Sequence, residues 1–244
     1  TYGGHNFTDV ICAEQSQNFK TWADVEASGR TTIWLENNMN FLRGERIETW
    51  LPDLPTDFHY EMITKDEEKE WANDIFKDIE NPIGIFMANK RGQRAWKGWD
   101  GDGWFNFCKL VQEEFPKKDL TFVMVGTFYD QQLGWETEYY FEKFDCDGKK
   151  LKYLNLISQT DLGKMIEVLK HLKYLVGFQS GVNVLATVLN IPGASMWPEE
   201  HWNHLDCWAD PEMIRKGTYK GLLWSDPEEI FKTVYKSIKN ALGE

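Results

Sequence analysis

Residues 160–198, TDLGKMIEVLKHLKYLVGFQSGVNVLATVLNIPGASMWP, hold the pattern that decides the fold. Leu162, Met165, Ile166, Leu169 and Leu172 are spaced for one face of a helix, with Thr160 placed to cap it. The apolar run YLVGF (174–178) has the length of a buried strand. Gly177, Ser180 and Gly181 then turn the chain into a second helix through Leu185, Val188 and Leu189, which stops before Ile191-Pro192-Gly193. ASMW (194–197) reads as a last short strand. Such alternation indicates βα units around a mainly parallel sheet. The turn also sets the backbone N–H groups of Ser180, Gly181, Val182 and Asn183 at a helix N-terminus, where a phosphate would be stabilised and glycine admits a close approach. A tight connection with no ligand would use the same residues.

Upstream the alternation continues. IGIFMAN (83–89) reads as a buried strand, Trp104, Phe107, Cys108, Val111 and Phe115 as a helix face, and LTFVMVGT (120–127) as the next strand. Between the first strand and its helix, Lys90, Arg91, Arg94 and Lys97 are interleaved with Trp96 and Trp99, which suits a diphosphate as well as a solvated loop. The segment YYFEKFDCDGKKLKYLNLI (139–157) alternates around Asp147-Gly148 and predicts a hairpin or strand-turn-strand. Downstream, Asp226-Pro227-Glu228-Glu229 predicts a helix start, with a cap, proline at the first position and two acids on the positive end of the dipole. Ile230, Phe231, Val234, Tyr235 and Ile238 follow on its apolar face. Residues 1–80 show a strand at DVICAE, loops rich in Asn, Gly and Trp, and a helix near 67–79, too little for a complete doubly wound domain. A junction is expected near Glu80-Asn81-Pro82, dividing 1–80 from 81–244.

Composition narrows the function classes. Of 244 residues, 42% are hydrophobic and 27% charged, without low-complexity tracts, so disordered and fibrous readings drop out. The net charge is −12, and residues 1–80 hold 17 acids against 7 bases, which argues against nucleic acid as the main partner. Cys12, Cys108, Cys146 and Cys207 are scattered with no CxxC pair, as suits reduced thiols. The sequence shows neither a membrane span nor a signal peptide, so a cytoplasmic address is expected. Three metal-like patterns read better as structure. Asp145-Cys146-Asp147 abuts a turn glycine, His201, His204 and Cys207 lack a fourth ligand, and Asp100-Gly101-Asp102-Gly103 lacks the twelfth-position acid of a calcium loop. No metal is therefore expected. Twelve tryptophans raise the separate idea of a sugar-stacking surface, although Trp71 and Trp104 fall on apolar helix faces.

The order and wording of 160–198 resemble the C-terminal, donor-binding half of family-nine glycosyltransferases, the heptosyltransferase-like enzymes of the GT-B fold. That family reads T-x-L-x-E-L, a helix, then V-G-x-D-[ST]-G-x-x-H-x-A-A-x-x-x-x-P. Thr160, Leu162, Val176, Gly177, Ser180, Gly181, Ala186 and Pro192 match, whereas Gln179 and Val184 stand at the family's Asp and His positions. Residues 83–115 are similar to the opening of the family's second domain, and Gly126-Thr127-Phe128 resembles its G-G-x turn. The likeness covers about residues 81–240.

The resemblance implies an α/β, GT-B-like chain: a Rossmann-like parallel sheet over 81–244, preceded by a reduced or incomplete acceptor-side segment at 1–80. The family's first strand and glycine-rich turn have no counterpart there, which suggests a fragment or a minimised form. The implied activity is metal-independent transfer of a sugar from a nucleotide-sugar co-substrate to a hydroxyl, on a carbohydrate or another acceptor, without a further cofactor. Donor-binding residues would be Asn89, Lys90, Arg94, Lys97, Thr127, Gln179, Ser180, Gly181 and Asn183. The base would come from 1–80, where Asp9 and Glu14 are candidates. In such folds the last helix commonly crosses back to the first domain, so 227–241 is expected to pack on the front segment or the junction. The alternatives are a non-catalytic, sugar-binding or assembly-associated relative, and a glycosyltransferase acting on modified DNA bases.

Overall fold

The computed structural model describes residues 62–87, 98–198 and 211–243, all within a compact unit spanning Asp57–Glu244. Six strands form one parallel sheet: β1 (Asn81–Phe86), β2 (Leu120–Val125), β3 (Lys152–Asn155), β4 (Tyr174–Phe178), β5 (Gly193–Trp197) and β6 (Tyr219–Leu223). Their spatial order is β3-β2-β1-β4-β5-β6. The helices are α1 (Asp66–Phe76), α2 (Gly101–Glu114), α3 (Gln131–Lys143), α4 (Leu162–His171), α5 (Gly181–Val188), α6 (Pro211–Lys216) and α7 (Pro227–Ala241).

A parallel sheet covered on both faces needs strands that are apolar on both sides. Here β1, β2 and β4 supply them, since neighbouring residues point to opposite cores. Ile83, Ile85, Phe122, Met124, Tyr174, Val176 and Phe178 meet Trp104, Phe107 and Val111 of α2, Leu133 and Phe141 of α3, and Ile230, Val234 and Ile238 of α7. Phe86, Val123, Val125 and Leu175 meet Phe76 of α1, Met165, Val168 and Leu169 of α4, and Ala186 of α5. In register, Ile83 lies between Phe122 and Tyr174, so the pairing itself aligns both cores.

Strands are present at 81–86, 120–125, 174–178 and 193–197, where 83–89, 120–127, 174–178 and 194–197 are expected, as are helices around 104–115, 162–172 and 185–189, whereas α3 and α6 are not anticipated by the sequence reading. Two details differ from expectation. Residues 139–143 belong to α3; the turn at Asp147-Gly148 does form, bridged by Cys146 and Lys149 with both turn residues at positive φ, but only 152–155 is strand. The alternation there is a helix face running into a turn, because Phe141 is buried against Phe122. Second, α4 is capped by Asp161, whose carboxylate accepts from the Lys164 N–H at 2.9 Å, and not by Thr160. Helix α7 packs on α2 and β5, its buried stripe closing the aromatic core, while the front segment it is expected to meet lies mostly outside the described residues. Tyr174, fully buried, shares a 2.8 Å hydrogen bond with Ser237 of that helix. Helix α1 lies against α4, within the compact unit Asp57–Glu244.

Candidate functional site

In the order 3-2-1-4-5-6 the chain leaves β1 for α2 on one face and leaves β4 for α5 on the other. The two connections diverge at the carboxyl ends of these adjacent strands, which is where open α/β sheets hold their ligands. Gly177 pairs with Phe86 at this edge. A Cβ at Gly177 would stand 2.5 Å from the Phe86 carbonyl oxygen and 2.6 Å from its Cβ, so the close approach of β1 and β4 depends on the missing side chain.

Beyond Phe178 the strand ends in the Gln179-Ser180-Gly181 turn. Gln179 is exposed, and its N–H donates to the Met196 carbonyl at 2.9 Å. Ser180 is the cap of α5, and its Oγ accepts from the Val182 N–H at 3.1 Å. Gly181 opens the helix, with open space where its Cβ would be. The N–H groups of Gly181 and Asn183, in the first turn, have no acceptor within the helix, and they carry the positive end of its dipole. The Asn183 side chain faces inward. Its residue is 5% exposed, and its Nδ2 donates to the Phe178 carbonyl at 2.6 Å and to Ser195 Oγ at 3.1 Å. Asn183 therefore buttresses the turn with its side chain and offers only its backbone to a ligand. Val182 likewise differs from expectation, because the serine hydroxyl already accepts its N–H.

Thr127 follows β2, one strand away on the same rim. Its N–H donates to Asp130 Oδ2 at 2.8 Å and its hydroxyl to the same oxygen at 3.3 Å, forming a cap on a single 3₁₀ turn at Phe128–Asp130. Asp130 is 2% exposed, and a Cβ at Gly126 would lie 2.7 Å from its carboxylate, so this turn is packed tightly. Sequence reasoning missed Asp130 and Ser195; the Thr-x-x-Asp spacing of 127–130 is the signal that could have found the first. Asn89, Lys90, Arg94 and Lys97 lie outside the described residues, in the stretch between Met87, just after β1, and Gly98. Asp9 and Glu14 also lie outside them, as do His201, His204 and Cys207.

Below the crevice, Trp99 and Trp104 both meet the Phe178 ring edge-on, at 5.9 and 6.2 Å, which ties the end of β4 to the start of α2. Trp99 Nε1 donates to the Ser225 carbonyl at 2.6 Å, whereas the buried Trp104 Nε1 has no partner among the described residues. Cys108 and Cys146 are free and buried, and burial pushes both thiols up, Cys108 strongly, which disfavours thiolate chemistry. Asp145 is ion-paired with Lys150 at 3.0 Å on the rim of the 147–148 turn.

No family profile matches the sequence, and no curated protein is similar to it in sequence. In structure, the chain is similar to the ADP-heptose LPS heptosyltransferase II of Escherichia coli, with a TM-score of 0.54 and 15% identity over 78% of this chain and 56% of that one. It is also similar to a family-nine glycosyltransferase of Veillonella parvula, with a TM-score of 0.53 and 14% identity over 77% and 55% of the two chains. The fold is GT-B-like. The GT-B-like chain spans about half the length of these two proteins. Its six-stranded parallel sheet is the Rossmann-like architecture expected for residues 81–244. Among the described residues no helix is long and apolar enough to cross a membrane.

Proposed function

We propose that the chain is a glycosyltransferase whose switch-point crevice receives the diphosphate of a nucleotide-sugar donor and directs the sugar to a hydroxyl acceptor. The observation that carries this reading is the coincidence of three features at the carboxyl end of β4. These are the strand-order switch between β1 and β4, a glycine that lets them close up, and a helix N-terminus opened by Ser180-Gly181 with unoccupied space over the glycine. The N–H groups of Gly181 and Asn183 would hold the departing diphosphate, Ser180 would donate its hydroxyl proton to it, and exposed Gln179 would contact the neighbouring sugar or phosphate. Lys90, Arg94 and Lys97, with Asn89, follow β1 in sequence and would supply the countercharge, so that transfer proceeds without a divalent metal. Thr127 would border the same pocket from β2. The acceptor hydroxyl would need a carboxylate as general base, for which Asp9 and Glu14 remain the sequence candidates.

The second reading is a sugar-binding relative without catalysis. It is favoured by Val184, a partly buried hydrophobic residue where the resembled family carries histidine, and by uncharged Gln179 at its aspartate position. Calorimetric titration of UDP, GDP and ADP into the full chain in EDTA tests the pocket. Binding that weakens about 10- to 150-fold in Arg94→Ala, the equivalent of one charge-assisted contact, supports it. Turnover of UDP-, GDP- and ADP-linked sugars with an added hydroxyl acceptor separates the two readings. Nucleotide binding without turnover selects the binder, and no binding of any nucleotide refutes the donor pocket.

A further inference from the structure

A second feature lies where the first turn of α2 meets α3. Trp135 and Tyr139, four residues apart on α3, are 62% and 53% exposed, which is unusual for rings of that size. Residues at that spacing lie one above the other on a helix, so the two rings form a strip about one turn long. The strip lines a groove of about 510 Å³, a size that suits a small ligand. Its other walls are Asp100, Asp102, Gln132 and Glu136, with Tyr140 beneath. We infer that this groove between α2 and α3 is a binding site for an uncharged carbohydrate.

The two helices that form the walls are in close contact. A Cβ at Gly101 would stand 2.7 Å from the backbone of Glu136, so the first turn of α2 lies directly on α3. Asp100 Oδ1 accepts from the Gly103 N–H at 3.0 Å and Asp102 Oδ2 from Asn106 at 3.1 Å, while Glu136 Oε1 accepts from Gln132 at 3.1 Å. Each carboxylate is thereby oriented by one oxygen and keeps acceptor capacity on the other. Tyr140 is held by Phe105 and Phe144, with centroids 6.2 and 5.6 Å away.

Aromatic faces beside oriented acceptors match a pyranose, which has a C–H face to stack and hydroxyl protons to donate. An apolar partner would strip water from three carboxylates and offer nothing in return. A phosphate or uronate would meet those carboxylates, and among the described residues no lysine or arginine lines the groove. A cationic peptide is disfavoured by Lys143, whose ammonium already sits 4.9 Å over the Tyr139 ring at the end of the strip. Phe128 and Tyr129, 63% and 50% exposed, add aromatic surface at the carboxyl end of β2, the rim that also carries the crevice.

Saturation-transfer NMR on the full chain, with cellotriose, maltotriose and chitotriose as probes, tests the inference. At least one should receive saturation on its ring C–H protons. In Trp135→Ala and Tyr139→Ala that signal should fall at least tenfold, with melting and UDP titration unchanged because both rings are exposed. Trp135→Phe should retain part of it. No transfer to any of the three saccharides, signal that survives both alanine variants, or tighter binding of digalacturonate or tetralysine would each overturn the assignment.

Discussion

Asn183 separates a structural from a ligand-binding role at the turn that opens α5. Its amide donates to the Phe178 carbonyl at 2.6 Å and to Ser195 Oγ at 3.1 Å, with a longer bond of 3.5 Å to the Gly177 carbonyl. Phe178 and Ser195 are each 1% exposed. In Asn183→Ala the Phe178 carbonyl and the Ser195 hydroxyl lose this donor in a place where water does not reach, and two lost buried hydrogen bonds cost about 1–3 kcal/mol. For a cooperative unit of this size each kcal/mol moves Tm by about 2–4 °C, so melting should fall by roughly 2–12 °C. Asn183→Asp should be at least as damaging, since a carboxylate would face two carbonyl oxygens with no proton to give. Melting followed by far-UV circular dichroism, with amide exchange at Phe178 and Ser195 as the local probe, measures both. An alanine variant that melts like the wild type but no longer binds nucleotide would refute the buttress and return the side chain to the ligand.

Gly177→Ala should destabilise by about 1–3 kcal/mol, because the new methyl lies 2.5 Å from a backbone oxygen that cannot move without parting β1 from β4; unchanged urea unfolding would count against the close pairing. Ile238→Ala, at a position with no exposure beneath α7, should cost about 2–5 kcal/mol, whereas a helix docked elsewhere would tolerate it in the same urea titration. Burial lowers the His171 pKa from its ordinary 6.5, and the ring stacks on Phe76 at 4.7 Å. The unfolded chain therefore takes up a proton that the folded chain refuses. The stability difference is complete above 6.5 and declines as the pH drops toward the depressed value; His171→Phe should flatten that slope. Burial pushes Glu167 upward, but bonds from Lys170 and Thr64 outweigh it and hold the carboxyl below 4.5, so its contribution disappears only as the pH falls through that lower value. Glu167→Gln should remove the most acidic part of the decline.

Much of this architecture was legible because buried parallel strands leave a strong mark. IGIFM and LTFVMV are apolar on both faces and have no alternative as amphipathic helices of that length. The region from 139 to 157 was harder. A helix with Tyr139, Tyr140 and Phe141 in its last turns and a strand at KYLN both place aromatic residues at short intervals, and period alone does not separate them. Strand β6, YKGLL, was missed because an edge strand half in solvent contains little hydrophobic pattern. At the site, the Gly-Ser-Gly turn announced a helix start, which is a local property. Whether Asn183 points outward or inward depends on Ser195, twelve residues away, and no spacing rule reports that.

The two cores that the sheet divides differ in kind as well as in place. One is built on Trp99, Trp104, Phe107, Phe122, Phe141, Tyr174 and Phe178; the other is largely aliphatic, with Val123, Val125, Leu156, Val168, Leu169, Leu175 and Ile191. Among the described residues, Trp99 and Trp104 place buried indoles on the α2–α3–α7 side, whereas the α4–α5 side, where Gly181 begins its helix, has Trp71 of α1 packed against it beside Phe76 and Phe86. A loosening of the aliphatic layer would broaden its methyl resonances, so the half of the molecule nearest the β4 turn is best watched through valine, leucine and isoleucine methyl groups.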